Sequence, residues 1–264
     1  MSASVISISN QKGGVGKTTS AVNIALYISE FGYRTLLIDL DPQANATSGI
    51  GINIDQIHHS IYDVISNDEA VEDCIYPTPF QNLHLLPSST HLAGAEVELS
   101  NTVSRETILK KRLSPISDSY DFIIIDCPPS LSLLTLNAFS FTDHLIIPVQ
   151  CEYFALEGLA KLLSTVQLIK DRLNPKLNIL GIALTMFDRR TSLNRQVVQN
   201  AKNHFQDLIF DTIIPRNIRL AEAPSFGLPI ALYEPKSSGS IAYYQLTKEV
   251  LERANTTQPI RERA

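Results

Sequence analysis

Residues Asn10 to Thr19 read NQKGGVGKTT and follow directly on the apolar run Val5-Ile6-Ser7-Ile8. A strand that opens into a glycine-rich turn and then into a helix is the arrangement of a phosphate-binding loop. Gly13, Gly14 and Gly16 carry no Cβ, so the backbone passes close to a ligand. Successive backbone N–H groups, Val15 and Thr19 among them, then point at phosphate oxygens, and the helix N-terminus adds partial positive charge. From such a loop Lys17 reaches the β- and γ-phosphates of a nucleotide, and the Thr18 hydroxyl reaches a Mg²⁺ ion. A plain glycine turn with solvated lysines needs neither three glycines nor two lysines between a strand and a helix.

The loop departs from the general pattern G-x-x-x-x-G-K-S/T. Gln11 stands where the first glycine belongs, and Lys12 is added beside it. In this it resembles the deviant Walker A box, x-K-G-G-x-G-K-S/T, of the ParA/MinD branch of P-loop ATPases. The resemblance implies ATP and Mg²⁺ as cofactors and a homodimer that sandwiches ATP. It also implies that Lys12 reaches across the dimer to the partner's phosphates.

A chain of 264 residues with 44% hydrophobic content suits one large α/β domain with a sizeable core. The net charge of −5 argues against a globally basic nucleic-acid binder, so any DNA contact must come from a local patch. Cys74, Cys127 and Cys151 have no metal-like spacing, and reduced thiols in a cytoplasmic protein are expected. The first strand follows the N-terminus at once, so neither a leader nor an N-terminal DNA-binding module is expected, and no apolar run reaches membrane-spanning length.

Short apolar strands alternate with helical stretches, which predicts a doubly wound, mostly parallel sheet with helices on both faces. Strands are expected at Val5 to Ser9, Thr35 to Ile38, Leu83 to Leu86, Phe122 to Ile125, Leu145 to Val149, Ile179 to Thr185 and Thr212 to Ile214. Helices are expected at Thr18 to Phe31, ended by Gly32, at Ala155 to Leu173, at Leu193 to Phe205 and at 241 to 253. Short helical pieces are expected over 60 to 75 and over 91 to 116, the latter interrupted near Ser100 to Ser104. One domain is expected over residues 1–254, followed by a loose polar tail over 255–264.

Three carboxylates fall at strand ends. Asp39 and Asp41 close the second strand, and Asp126 closes the run Phe122 to Ile125. Ligands in open α/β sheets bind at the carboxyl ends of strands, so all three face the loop's edge of the sheet. An ionised Asp at the end of a buried strand is costly without a cation nearby, which makes Asp126 a metal ligand in the Walker B manner. Asp39 to Thr47 also resembles the ParA-like switch I motif D-x-D-P-Q-x-N-x-T, and Asp126-Cys127-Pro128-Pro129 the switch II motif. The resemblance makes Asp41 the residue that orients the attacking water. It places Asp39 beside Thr18 and Asp126 near Mg²⁺ or its waters, and it makes Lys12 and Lys17 stabilise the transferring phosphoryl group.

The resemblance runs to about residue 253 and is nearest to the Soj/ParA partition ATPases. Pro148 to Gly158, Leu184 to Asp188 and Ile214 to Ser225 support it. It implies adenine contacts at Met186, Pro215, Arg216 and Asn217. It implies non-specific double-stranded DNA as a ligand, with Arg190, Arg219, Lys236 and Lys248 as contacts and Arg189, Arg195 and Arg216 adding to the patch. Between Arg189 and Arg219, six basic residues stand against Asp207 and Asp211. It also implies a ParB-like centromere-binding partner and a nucleoid-associated protein without membrane binding. The competing readings are a MinD-like positioning ATPase, an iron–sulfur reductase using Cys127 and Cys151, and a metabolic P-loop ligase. A MinD-like end needs an amphipathic helix, which RANTTQPIRERA does not supply.

Overall fold

The computed structural model describes residues 2–152 and 155–257. Tyr153, Phe154 and the predicted tail residues 258–264 lie outside them. The elements in chain order are β1 (Ser4–Ile8), α1 (Lys17–Glu30), β2 (Thr35–Asp39), α2 (Asn45–Gly49), α3 (Ile61–Ser66), β3 (Tyr76–Pro77), β4 (Leu83–Leu86), α4 (Leu92–Glu98) and α5 (Ile108–Leu113). There follow β5 (Phe122–Asp126), α6 (Leu133–Phe141), β6 (His144–Gln150), α7 (Ala155–Arg172), β7 (Asn178–Thr185), α8 (Ser192–Phe205), α9 (Ile218–Glu222), α10 (Ile230–Tyr233) and α11 (Ser238–Thr257).

One sheet carries seven strands in the order β3-β4-β2-β5-β1-β6-β7. All neighbours pair in parallel except β3 with β4, an antiparallel edge. The chain builds outward from β1 on one side, returns to place β5 beside it, and then crosses to β6 on the other side. The loop after β1 therefore opens where the direction of winding reverses, which is where such sheets bind ligands.

Both faces of the sheet are covered, and this explains its uninterrupted apolar strands. Along β5 the side chains alternate between two cores: Ile123 and Ile125 pack with Leu36, Ile38, Leu145 and Ile147, while Phe122 and Ile124 pack with Ile6, Ile8, Leu37 and Ile146. Helix α1 lies almost wholly inside the second core, with Ile24, Ala25 and Ile28 fully covered.

Several expected boundaries shift. Residues Thr212 to Ile214 form no strand; isolated bridges stand on either side of them, Ile182 with Ile209 and Phe187 with Pro215. The last helix spans 238–257 rather than 241–253, so Asn255 to Thr257, expected as loose tail, are helical. Helix α6 was not anticipated, because LLTLNAFSF is apolar on nearly every side and shows no amphipathic period. The expected break near Ser100 to Ser104 is present, between α4 with its trailing 3₁₀ turn and the turn at Arg105–Thr107.

Helix α2 is fastened to the 3₁₀ turn Ala223–Phe226 by two glycines back to back. A Cβ on Gly227 would lie 2.9 Å from the Gly51 Cα, and a Cβ on Gly51 would lie 2.9 Å from the Gly227 carbonyl oxygen. Both residues have positive φ, 81° and 64°, so a side chain at either is strained as well as blocked. Gly227→Ala should lower stability by about 1–3 kcal/mol, read as a lower denaturant midpoint. An unchanged midpoint would show that the two segments part at no cost.

Candidate nucleotide site

Helix α1 begins without a cap of its own. Its N-cap, Gly16, has φ 90°, makes no side-chain hydrogen bond, and is followed by no acidic residue in the first turn. The leading N–H groups are thus left for an outside acceptor, and an anion fits them best. The loop that reaches this helix is anchored to neighbouring strands. Asn10 donates through Nδ2 to the Pro148 carbonyl at 2.7 Å and accepts the Lys12 N–H at 3.0 Å. The Thr185 hydroxyl donates to the Val15 carbonyl at 2.9 Å.

Lys17 folds back beneath the loop, where its ammonium donates to the Lys12 carbonyl at 3.2 Å. Burial lowers its pKa, while the charges of Asp126 and Asp41 oppose that shift. Lys12 instead points outward and pairs with Glu152 at 2.6 Å, both side chains about half exposed. The lysine expected to reach a partner subunit is held, in the single chain, by a carboxylate 140 residues away.

The three aspartates meet at the same edge. Parallel pairing sets Asp39 directly beside Asp126, and Ile8 flanks Asp126 on the other side. Asp39 and Asp126 are fully buried and Asp41 nearly so. Their environments differ. Asp39 accepts the Thr47 N–H and hydroxyl on Oδ2, both at 2.8 Å, and the Asp41 N–H on Oδ1 at 3.2 Å. It thereby caps α2 from outside, a helix whose own N-cap, Ala44, sits at φ 52° and offers no side-chain bond. The Thr47 hydroxyl also accepts the Ser88 N–H at 3.1 Å. Asp41 accepts the Gln43 N–H at 2.9 Å, which holds the turn that follows β2.

Asp126 has no such partners: neither carboxylate oxygen receives a hydrogen bond of ordinary geometry. Burial raises its pKa well above the usual carboxylate value, and the neighbouring Asp39 adds to this; the nearby Thr18 hydroxyl and Lys17 pull the other way. A buried carboxylate without donors, beside a hydroxyl and a second buried acid, fits a divalent cation. Thr18 and Asp126 are thus free to hold such an ion. Asp39, expected in the same shell, has its oxygens already turned to the α2 loop. Among the described residues no cluster of three or more His, Cys, Asp or Glu side chains forms a metal cage. Cys127 and Cys151 are buried free thiols, which gives no support to a surface cluster at a dimer axis.

Of the four expected adenine residues, Pro215 and Arg216 share a cavity and Met186 and Asn217 adjoin its lining in sequence. Phe187, Asp188, Arg189, Arg190, Pro215 and Arg216 line an open cavity of about 480 Å³. Met186, at φ 55°, turns the chain out of β7 toward it, and the Asn217 side chain caps α9 at the Arg219 N–H.

The expected DNA contacts all lie on the surface, but the arginines are not free. Arg190 pairs with Asp188 at 2.7 Å and Arg219 with Glu222 at 2.8 Å. Lys248 lies over the Tyr244 ring at 5.7 Å. The two acids stand just outside the stretch from Arg189 to Arg219, so a count over that stretch missed them. Glu152 was likewise missed as the partner of Lys12. No local spacing signals a pair 140 positions apart, whereas Arg219 and Glu222 stand at i,i+3 on α9, a spacing at which helical side chains meet.

Burial holds the Asp39 pKa up at about 6, against 3.8 for an ordinary Asp. Within that window the folded chain binds more protons than the unfolded one, so this pair makes stability fall as pH rises through it. Asp126→Asn removes one of the two charges. In thermal melts of the ligand-free protein, its Tm should exceed that of the parent by a margin that grows as pH rises above the ordinary Asp value of 3.8. A constant margin would remove the strain assigned to the pair.

A family model described as an AAA domain matches residues 3–179. The sporulation initiation inhibitor protein Soj of Bacillus subtilis is 52% identical over 93% of this chain and 97% of its own. The chromosome partitioning protein ParA of Myxococcus xanthus is 49% identical over 97% of this chain and 91% of its own. Among solved structures, cobyrinic acid a,c-diamide synthase from Mycobacterium smegmatis with bound ADP and magnesium superposes with a TM-score of 0.85 at 33% identity, covering 98% of both chains. The two-lysine loop, the sheet order and these likenesses agree: the chain belongs to the ParA/Soj family of partition ATPases.

Proposed function

We propose that this partition ATPase binds Mg-ATP at the β1–α1 loop and pairs as a sandwich dimer. In that state it holds double-stranded DNA without sequence preference, and it lets go when a ParB-like centromere-binding partner stimulates hydrolysis. The observation that carries the reading is the buried, donor-free carboxylate of Asp126 facing an uncapped helix N-terminus and Lys17, in a chain half identical to Soj.

The chemistry needs no nucleophilic side chain. The loop N–H groups and Lys17 surround the phosphates and oppose the charge that builds on the transferring group. Mg²⁺, held by Thr18 and Asp126, would supply further positive charge there. Asp41, fixed by its bond to the Gln43 N–H, orients the attacking water. Asp39 positions the loop through Thr47. Lys12 exchanges Glu152 for the partner's phosphates when the dimer forms. Met186, Pro215, Arg216 and Asn217 receive the adenine.

The DNA face draws on Arg190, Arg219, Lys236 and Lys248, whose attraction to phosphates is sequence-independent and weakens steeply with salt. A chain with such a cycle works in the cytoplasm on the nucleoid. No helix among the described residues is long and apolar enough to cross a membrane. The metabolic reading suggested by the Mycobacterium smegmatis enzyme rests on 33% identity, against 52% and 49% for the Soj and ParA proteins.

Binding to random-sequence duplex DNA, with ATP and with ADP across a salt series, tests the reading. Binding should require ATP and fall steeply with salt; no binding in either state removes the partition cycle. Asp41→Ala should accumulate an ATP-bound dimer in light scattering, and a monomer with ATP would remove the water-orienting role. Arg219→Glu should weaken DNA binding while leaving dimerisation intact. Equal DNA affinity takes Arg219 out of the face.

A further inference from the structure

The phosphate loop has an anchor that its motif does not contain. Thr185 is the last residue of β7, 170 positions beyond Val15, yet its hydroxyl donates to the Val15 carbonyl at 2.9 Å. Both residues are buried. The Thr185 methyl group lies 3.8 Å from where a Gly16 Cβ would stand, so the same side chain also supports the turn into α1. Its backbone carbonyl accepts the Cys151 N–H at 3.0 Å, which places Glu152, the partner of Lys12. The next residue, Met186, turns at φ 55° toward the adenine cavity, and Phe187 then bridges to Pro215.

We infer that Thr185 is a positioning residue for nucleotide binding: its hydroxyl fixes the Val15 peptide so that the loop N–H groups face the phosphates before nucleotide arrives. The inference rests on the ATP site proposed above and goes beyond it, because it gives a role to a residue outside every phosphate-binding motif in the chain. The physical reason is the carbonyl of Val15. Buried and without Thr185, it has no donor, and the peptide gains by rotating toward water. Rotation swings the following N–H groups off the phosphate position. A loop that is competent only part of the time binds nucleotide more weakly by that fraction. The anchor also sits where the base seat meets the phosphate seat, since Thr185 and Met186 are consecutive.

Thr185→Val keeps the shape and the methyl contact beneath Gly16 and removes only the donor. Thr185→Ser keeps the donor and removes the methyl. Affinity of the full chain for a fluorescent ADP analogue with Mg²⁺ should fall roughly tenfold in Thr185→Val. It should stay within about twofold of the parent in Thr185→Ser. In steady-state hydrolysis KM should rise in Thr185→Val with kcat changed much less, because the loop holds ground and transition states alike. Should Thr185→Val fail to fold by circular dichroism, Thr185→Ala removes the same hydroxyl and makes the same comparison with Thr185→Ser. Equal affinity in the hydroxyl-free variant and the parent overturns the inference, as does an equal loss in Thr185→Ser. A parent protein that does not bind Mg-ADP at all overturns the nucleotide site itself, a different result from either.

Discussion

Two fully buried carboxylates end neighbouring strands in register: Asp39 on β2 and Asp126 on β5. Like charges so placed oppose each other and both oppose burial. The chain resolves half of the conflict internally, by giving Asp39 three donors from the α2 loop. The other half stays open at Asp126, opposite an uncapped helix N-terminus and a buried lysine. The Mg²⁺ and nucleotide proposed above would complete that arrangement. The site is thus held away from its stability optimum by the charges that it needs, a recurrent feature of functional sites.

The surroundings hold this edge in place. The return of β5 to lie between β2 and β1 is what sets the two aspartates side by side and the glycine loop next to them. The loop is then tied to β6 through Asn10 and to β7 through Thr185. The switch segment is tied by Asp39 to β2 and, through the contact of Gly51 with Gly227, to the turn that follows α9. Arg219 sits on α9, so the stretch expected to meet DNA leads directly into the turn that packs beside the segment resembling switch I. Arg219 and Arg190 each carry an acidic partner, and exposed pairs of this kind are weak and exchange readily with other anions.

Much of this was legible beforehand, for a physical reason. The strand, glycine loop and helix are consecutive, so their chemistry is written in one decapeptide. Doubly buried strands such as Phe122 to Asp126 announce themselves by unbroken apolar runs ending in a carboxylate. What failed to show was non-local or aperiodic. Helix α6 is apolar all round and gives no period to detect. Thr212 to Ile214 has strand-like residues, but it lies past the edge strand β7, and isolated bridges form only on either side of it, at Ile209 and Pro215. The pair Lys12–Glu152 joins side chains 140 positions apart, a placement that spacing does not encode.

The sequence by itself determined the fold class, the phosphate loop with its two lysines, and the set of three aspartates, because backbone geometry and hydrophobic period act locally and leave a local record. Only the tertiary structure decided how the aspartates divide their work. Whether an acid is filled by loop donors, as Asp39 is, or left bare, as Asp126 is, depends on which backbone N–H groups the folded chain brings within about 3 Å. The same holds for Thr185, whose hydroxyl meets Val15 only because β7 and the β1 loop end at one edge of the sheet.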